Sequence, residues 1–283
     1  MLSKKKILNK SVNFSVVFSV YYGDELVNFV KAFKSIKNQT LKAKQIIVAI
    51  DGKLKKNLYS YLMILKKKRK ILIVKNSQNK GQGYARHMAI KKTKYPIVAI
   101  MDSDDVSHPR RLEIQINCLK RKQIDIVGCN IGEFSKSFKQ IERYRKVPEF
   151  HKEISKLSNW RTPMNGATIV FKKSSYFKSK GYPFDIKNFE DYILILRFIK
   201  KNFKCHNVQK SLYFVRTNNN WIKRRSGIEY LKSEINLSNY LYKYNFISFT
   251  SFLIHIFLRI ILRSLPEKMI SNIYNKFFRE VVN

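Results

Sequence analysis

The chain has 283 residues, 45% of them hydrophobic and 13% aromatic, with nine glycines and six prolines. That composition excludes a disordered, collagen-like or low-complexity chain and leaves room for one large α/β domain with a short appendage. Fifty-seven Lys and Arg against 19 Asp and Glu give a formal net charge of +38, which suits an anionic partner (nucleic acid, an anionic membrane face or a phosphorylated small molecule) or reflects a compositional bias toward Lys, Asn, Ile and Phe along the whole chain. Cys118, Cys129 and Cys205 form no C-x-x-C pair, so neither a disulfide framework nor a thiolate zinc site is expected, and a reducing compartment is the simpler setting.

Residues 1–12 form a basic lead. Lys4, Lys5 and Lys6 ahead of an apolar run imitate a secretion signal, but Asn13, Ser15 and Ser19 interrupt the run and no small-residue cleavage site follows. Residues 14–21 instead read as a strand covered on both faces in a parallel sheet. Leu26, Phe29, Val30, Phe33 and Ile36 then recur at helical spacing as far as Asn38. A second strand over 45–50 ends at Asp51-Gly52, followed by a helix through 59–65, a strand over 70–75, a helix over 82–92 and a strand over 97–101. This alternation, continuing to about residue 115, predicts a right-handed, open, parallel α/β sheet. Short strands near 126–131, 167–171 and 212–216, with helices near 190–200 and 228–244, are less regular and predict mixed pairing. The 17 residues 246–262 (FISFTSFLIHIFLRIIL) contain His255 and Arg259 and fall short of the roughly 20 apolar residues of a spanning helix. With Lys243, Arg263, Lys268, Lys276 and Arg279 around them, they predict a helix lying on an anionic membrane face or packed on protein.

Open sheets bind ligands beyond the carboxyl ends of their strands, and there each apolar run gives way to polar residues. The fourth run ends in Asp102-Ser103-Asp104-Asp105. Three carboxylates in four residues repel one another, and a divalent cation removes that cost. Mg²⁺ or Mn²⁺ takes oxygen ligands, commonly one or two carboxylates plus a substrate's phosphates. The same residues also suit a loop leading into a helix, with Pro109 opening the helix of Leu112, Ile116 and Leu119. Residues 79–86 (NKGQGYAR) offer glycines and cations to a phosphate, but Arg86 stands where a dinucleotide fingerprint needs a small residue, which argues against a dehydrogenase. Glu190-Asp191 suits a helix N-terminus. The histidines show no metal-ligand spacing, and no Ser-His-Asp arrangement is recognisable.

Taken in order, Ser19-Val20-Tyr21, Asp51-Gly52, Asn79-x-Gly81 with Ala85-Arg86, Asp102-Ser103-Asp104-Asp105 and Glu190-Asp191-Tyr192 resemble the motifs of family 2 inverting glycosyltransferases, over about residues 13–240. Arg161-Thr162-Pro163-Met164-Asn165, Asn220-Trp221-x-x-Arg224-Arg225-x-Gly227 and Tyr230-x-x-x-Glu234 are similar to the branch that builds bacterial capsule, exopolysaccharide and O-antigen chains. The resemblance implies the nucleotide-diphospho-sugar transferase fold of GT-A type: a Rossmann-like open mixed α/β sheet flanked by helices. A nucleotide-binding half (13–115) and an acceptor-binding half (116–240) would be followed by an amphipathic helical extension (241–283). The implied enzyme moves a hexosyl or N-acetylhexosaminyl group from a nucleotide-sugar, foremost a UDP-sugar, to a lipid-linked glycan at the cytoplasmic face of the cell membrane.

On the matching positions, Ser19, Tyr21, Asp51, Asn79, Gly81, Arg86, Asp102 and Ser103 would meet the donor, Asp51 by accepting a hydrogen bond from uracil. Asp104, with Asp102, would hold Mn²⁺ or Mg²⁺, and Arg224 and Arg225 would lie near the diphosphate. Asp191, beside Glu190, would be the base; Asn165, Gly166 and Trp221 would face the acceptor. Relatives often carry His-Pro where this chain has Gly166-Ala167, and an acidic residue where it has Ile193. Those departures bear on acceptor recognition and leave the metal and base positions intact. A catalytically inactive assembly scaffold of the same fold is a second reading, opposed by intact Asp51, Asp104 and Asp191. A nucleic-acid-binding protein is a third, opposed by the absence of zinc-finger and RNP motifs; no specific nucleic acid is expected.

Overall fold

The computed structural model describes residues 12–186, 188–217 and 227–282. Seven consecutive buried residues form strand β1 (Phe14–Val20), and the chain then alternates through α1 (Leu26–Lys37), β2 (Gln45–Asp51), α2 (Lys56–Lys67), β3 (Leu72–Asn76), α3 (Gln82–Lys91) and β4 (Ile97–Asp102). β1 lies between β2 and β4 and pairs parallel with both, and β3 pairs parallel with the outer edge of β2. Successive side chains of a strand point to opposite faces, which here gives two cores. Phe14, Val16 and Phe18 of β1 meet the apolar stripes of α1 and α2, while Val17, with Ile47 and Ala49 of β2, meets Ala85, Ala89 and Ile90 of α3.

The second half continues with β5 (Val106–Ser107), α4 (Arg111–Arg121), β6 (Ile126–Phe134), β7 (Arg143–Arg145), α5 (His151–Ser158), β8 (Val170–Lys172), α6 (Lys173–Lys178), α7 (Glu190–Lys200) and β9 (Cys205–Arg216). β8 inserts antiparallel between β4 and β6, and β9 runs parallel to β6, so the sheet is mixed. Helices α1, α2 and α4 cover one face, and α3, α5, α6 and α7 the other.

Three expected boundaries shift. β3 begins at Leu72 because residues 68–70 complete the exit from α2: Lys70 N–H donates to the Leu65 carbonyl, and Arg69 takes a left-handed φ of 52°. The run expected as a strand over 167–171 is first a 3₁₀ turn, Gly166–Thr168, because the Asn165 carbonyl accepts both the N–H and the hydroxyl of Thr168. Pro109 lies before the start of α4, and its carbonyl accepts the Thr40 N–H from the segment after α1.

Three helices follow, α8 (Gly227–Lys243), α9 (Phe249–Ser264) and α10 (Glu267–Phe278), and strand β10 (Glu280–Val281) returns to pair antiparallel with β7. α8 runs through the boundary expected at residue 240; its Leu237, Tyr240 and Leu241 pack on Tyr192, Ile193 and Leu196 of α7. Glu234 of α8 binds Arg263 of α9 in a two-pronged pair (2.7 and 3.0 Å), Arg263 also donates to Tyr274 of α10 (3.3 Å), and its guanidinium lies over the Tyr230 ring. α9 thus turns His255 and Arg263 inward while Leu253, Ile254, Phe257, Leu258 and Ile261 stay exposed, the reverse of the usual surface helix. Among the described residues, no helix is long and apolar enough to cross a membrane.

Removing one partner of a buried pair leaves the other charge uncompensated, so Glu234→Ala is expected to cost about 3 kcal/mol. Guanidinium denaturation checks this, and Glu234→Leu combined with Arg263→Met is expected to recover most of the loss.

Candidate active site

The carboxyl ends of β1, β2 and β4 open onto one cavity of about 820 Å³. Asp51, which ends β2, is buried and organises one wall. Its Oδ1 accepts the Lys80 N–H (3.0 Å) and Asn76 Nδ2 (3.3 Å), and its Oδ2 accepts the Gly81 N–H (2.9 Å). This holds the turn that brings Asn79 and Gly81 to the cavity. Gly52 (φ 82°) permits the close approach, since a Cβ there would lie 2.9 Å from the Asn79 nitrogen. At the end of β1, Ser19 lines the cavity with a buried hydroxyl that has no partner among the described residues. Half-exposed Tyr21 folds back over Gly23, where any side chain would overlap its ring, and its N–H donates to Asp24 Oδ2 (2.9 Å).

The acidic motif divides. Asp102, Ser103 and Asp104 line the cavity, joined by Asp24 from the β1 turn. Asp105 turns into the protein and accepts the Arg216 N–H (2.8 Å); burial, then Asp104 and Asp102, hold its proton well above the usual carboxylate range. Burial also pushes Asp24 up to about 6, against hydrogen bonds from Tyr21 and Ser103 and with help from Asp102. Asp104 is raised to about 6 by burial, then by Asp102 and Asp24. A cation among these groups would relieve their repulsion. Among the described residues no three His, Cys, Asp or Glu side chains form a cation cage.

Beneath the cavity lies Arg86, 1% exposed. Its Nη2 pairs with Asp102 Oδ1, and its Nη1 reaches Asp191 Oδ1 at 2.9 Å. Tyr182 donates its hydroxyl to the same Asp191 oxygen (3.1 Å). Arg86 was expected at the donor, yet it does not line the cavity; its guanidinium is taken by Asp102 and Asp191, which do. Burial raises Asp102's proton affinity, and Arg86 opposes that rise. Glu190 and Asp191, in the first turn of α7, do line the cavity, with Glu190 lying against Gly83, where an added Cβ would come within 3.0 Å of its Cγ.

Asn165 and Gly166 were expected at the acceptor, and neither lines the cavity. Asn165 is buried, its Nδ2 donating to the Cys129 carbonyl (2.8 Å). Gly166 lies directly against Asp191, and any Cβ there would overlap the carboxyl group. At Gly166, where the sequence departs from relatives, the missing side chain leaves the space that Asp191 occupies here. Trp221, Arg224 and Arg225 lie outside the described residues. Three residues of the site were not anticipated in these roles: Asp24, Tyr182 and Arg216, which lines the cavity while its Nε donates to the Asp104 carbonyl (3.1 Å). Asp24 and Arg216 each sit at or just past the end of a strand, a signal available in the sequence; Tyr182 had none.

A mixed sheet with this cavity past its parallel strands and acidic residues at the β4 end has the GT-A architecture of glycosyltransferases. The chain belongs to glycosyl transferase family 2, whose sequence model matches residues 15–179. It is 30% identical over 270 residues to the UDP-Gal:alpha-D-GlcNAc-diphosphoundecaprenol beta-1,3-galactosyltransferase of Escherichia coli, covering 94% of this chain and 96% of that one. It is 26% identical over 264 residues to the amylovoran biosynthesis glycosyltransferase AmsE of Erwinia amylovora, covering 93% and 98%. The sequence thus resembles enzymes of O-antigen and exopolysaccharide assembly. The fold is similar to S. aureus TarS 1-349 in complex with UDP-GlcNAc, with a TM-score of 0.63, 14% identity, and coverage of 94% of this chain and 74% of that one.

Gly166→Ala is expected to displace Asp191 and lower kcat about a hundredfold, as misplacement of a reacting group by an ångström does, while a nucleotide titration stays unchanged. Steady-state kinetics beside calorimetry check it. A second prediction concerns pH. Asp24 and Asp104 keep protons up to about pH 6 when folded and only to about 3.8 in their ordinary state. Between those values the folded state holds more protons, so their contribution to unfolding free energy falls as pH rises. In the presence of chelator, Asp24→Asn is expected to flatten that part of the stability-against-pH curve measured by urea denaturation.

Proposed function

We propose that this chain is a cation-dependent, inverting transferase that moves a hexosyl or N-acetylhexosaminyl group from a UDP-sugar to a lipid-linked surface glycan. The observation that carries this reading is the shared guanidinium of Arg86, which holds Asp102 of the acidic motif beside Asp191 at the cavity lining. The names of the E. coli relative and of the TarS complex, one citing UDP-Gal and a diphosphoundecaprenol acceptor and the other UDP-GlcNAc, support the donor and acceptor classes.

In this reading Tyr21 and Asp51 face the uracil end of the donor, and Asp104 with Asp102 would hold Mn²⁺ or Mg²⁺. Such a cation, when bound, supplies positive charge to the departing nucleoside diphosphate. Arg216 adds a guanidinium at the same wall. Asp191 removes the acceptor hydroxyl's proton as that oxygen forms its bond to the anomeric carbon from the face opposite the diphosphate. The anomeric carbon's bond to the diphosphate oxygen breaks in the same displacement, and the configuration inverts. Arg86 and Tyr182 already engage Asp191 Oδ1, so Oδ2 receives the proton.

The outward apolar stripe of α9, flanked by cations in a chain of net charge +38, supports peripheral attachment to the anionic cytoplasmic face of a membrane.

Calorimetric titration with UDP, GDP and dTDP, with and without Mn²⁺, tests the donor site. UDP is expected to bind only with Mn²⁺, and Asp104→Ala to abolish that binding. Asp191→Asn is expected to keep UDP binding while transfer falls about a hundredfold or more. A folded sample that binds no nucleotide would make the assembly-scaffold reading the better one, and equal loss of binding and transfer in Asp191→Asn would remove the base assignment.

A further inference from the structure

Outside the donor cavity, four arginines gather where β7 meets β10. Glu133 accepts from Arg279 Nε (2.6 Å) and pairs with Arg143 Nε (3.2 Å). Arg145 Nη2 donates to the Thr162 carbonyl (3.1 Å), and the neighbouring Arg161 lays its guanidinium over the Phe278 ring, 4.6 Å from the centroid. Arg279 Nη1 donates to the Phe278 carbonyl (2.9 Å), which closes the cluster. Arg161 is half-buried, and among the described residues no carboxylate lies within ion-pair reach of it. Burial, then the nearby Arg279, weakens its hold on its own proton, as crowded cations do without an anion between them.

The flanks of this cluster are apolar and exposed. Trp160 precedes Arg161, Phe277 precedes Phe278, and Val281 follows Arg279 by two residues, all open to solvent. The Trp160 ring lies 5.4 Å from His255 of α9, the helix whose outward face carries Leu253 and Phe257. Cations beside exposed apolar side chains match an amphiphile with an anionic head and a long apolar tail, and half-buried guanidinium groups favour a multidentate phosphate head. The cluster is also within reach of the base: residues 161 to 166 span at most about 17 Å, and Gly166 touches Asp191.

We propose that Arg161, assisted by Arg145 and Arg279, binds the diphosphate of a polyprenyl-diphosphate-linked acceptor, whose prenyl chain runs along Trp160 towards α9. This rests on the glycan-transfer reading and deepens it, assigning the acceptor's lipid end a site separate from the donor cavity. The site takes a lipid diphosphate rather than bilayer phospholipid headgroups.

The test is calorimetric titration of the full chain with farnesyl diphosphate in excess UDP and Mn²⁺, against Arg161→Ala, Arg161→Lys and Arg145→Ala/Arg161→Ala. Binding is expected in the wild type, about tenfold weaker in Arg161→Ala, weaker again in the double variant and partly restored in Arg161→Lys, since Lys keeps the charge but not the fork of donors. A UDP titration of each variant, unchanged, shows that fold and donor site are intact. Equal farnesyl diphosphate affinity in wild type and Arg161→Ala would overturn the proposal. So would displacement of farnesyl diphosphate by UDP, or a variant that loses phosphatidylglycerol vesicles but keeps farnesyl diphosphate. If UDP fails to bind the wild type, the donor reading falls while the farnesyl diphosphate comparison still decides this one.

Discussion

A guanidinium with almost no exposure to water must be paired, and a carboxylate beside it gains orientation from the pairing. In this protein Arg86 holds two such carboxylates at once, Asp102 from β4 and Asp191 from α7. The rest of the site depends on that bridge. Ala85, Ala89 and Ile90 bury α3 in the sheet, so the arginine cannot move far, and Gly83 and Gly166 are the two places where a missing side chain lets α7 come close. The same guanidinium thus orients both the proposed base and the proposed metal ligand.

Charge is distributed with a strong contrast between surface and cavity. The chain carries +38, yet its cavity wall is acidic: burial and then Asp102 raise the proton affinity of Asp24 and Asp104, and burial and then Asp191 raise that of Asp102. The cation proposed above would offset that wall for an anionic donor, while the basic surface draws anions from solution. Below the wall a second buried arginine, Arg111, donates to the Ile100 carbonyl (2.9 Å) and lies over Tyr213, close enough to Asp105 and Asp102 to interact with them. Two arginines thus underlie the acidic motif, and the one acidic residue that leaves the cavity, Asp105, ties β9 to the end of β4.

The C-terminal helices solve a different problem. A helix as apolar as α9 would normally bury its Phe, Ile and Leu residues, yet it buries Arg263 against Glu234 and exposes the apolar ones. The buried pair gives α8, α9 and α10 a fixed mutual arrangement, and the return of β10 to β7 brings Phe278 and Arg279 beside Arg161. An exposed apolar stripe and a cationic cluster therefore meet on the side where the chain leads from Arg161 to Asp191.

Much of this was determined by the sequence itself. The first four strands and three helices are announced by local apolar runs and by helical spacing, and a parallel sheet gathers its strand ends, so Ser19, Asp51, Asn79, Asp102, Asp104 and Asp191 fall on one cavity. The sequence left open whether residues 246–262 lie on a membrane face or pack on protein, and only the fold shows which apolar residues of α9 stay exposed. Other features were decided only by tertiary contacts between distant parts of the chain. Arg86 meets Asp191, 105 residues away; Asp105 turns inward to a strand 111 residues on; Glu133 finds Arg279 across 146. Local propensity carries no information about such pairings, because each depends on which surfaces the completed sheet brings together and on which buried charge needs a partner once water is gone.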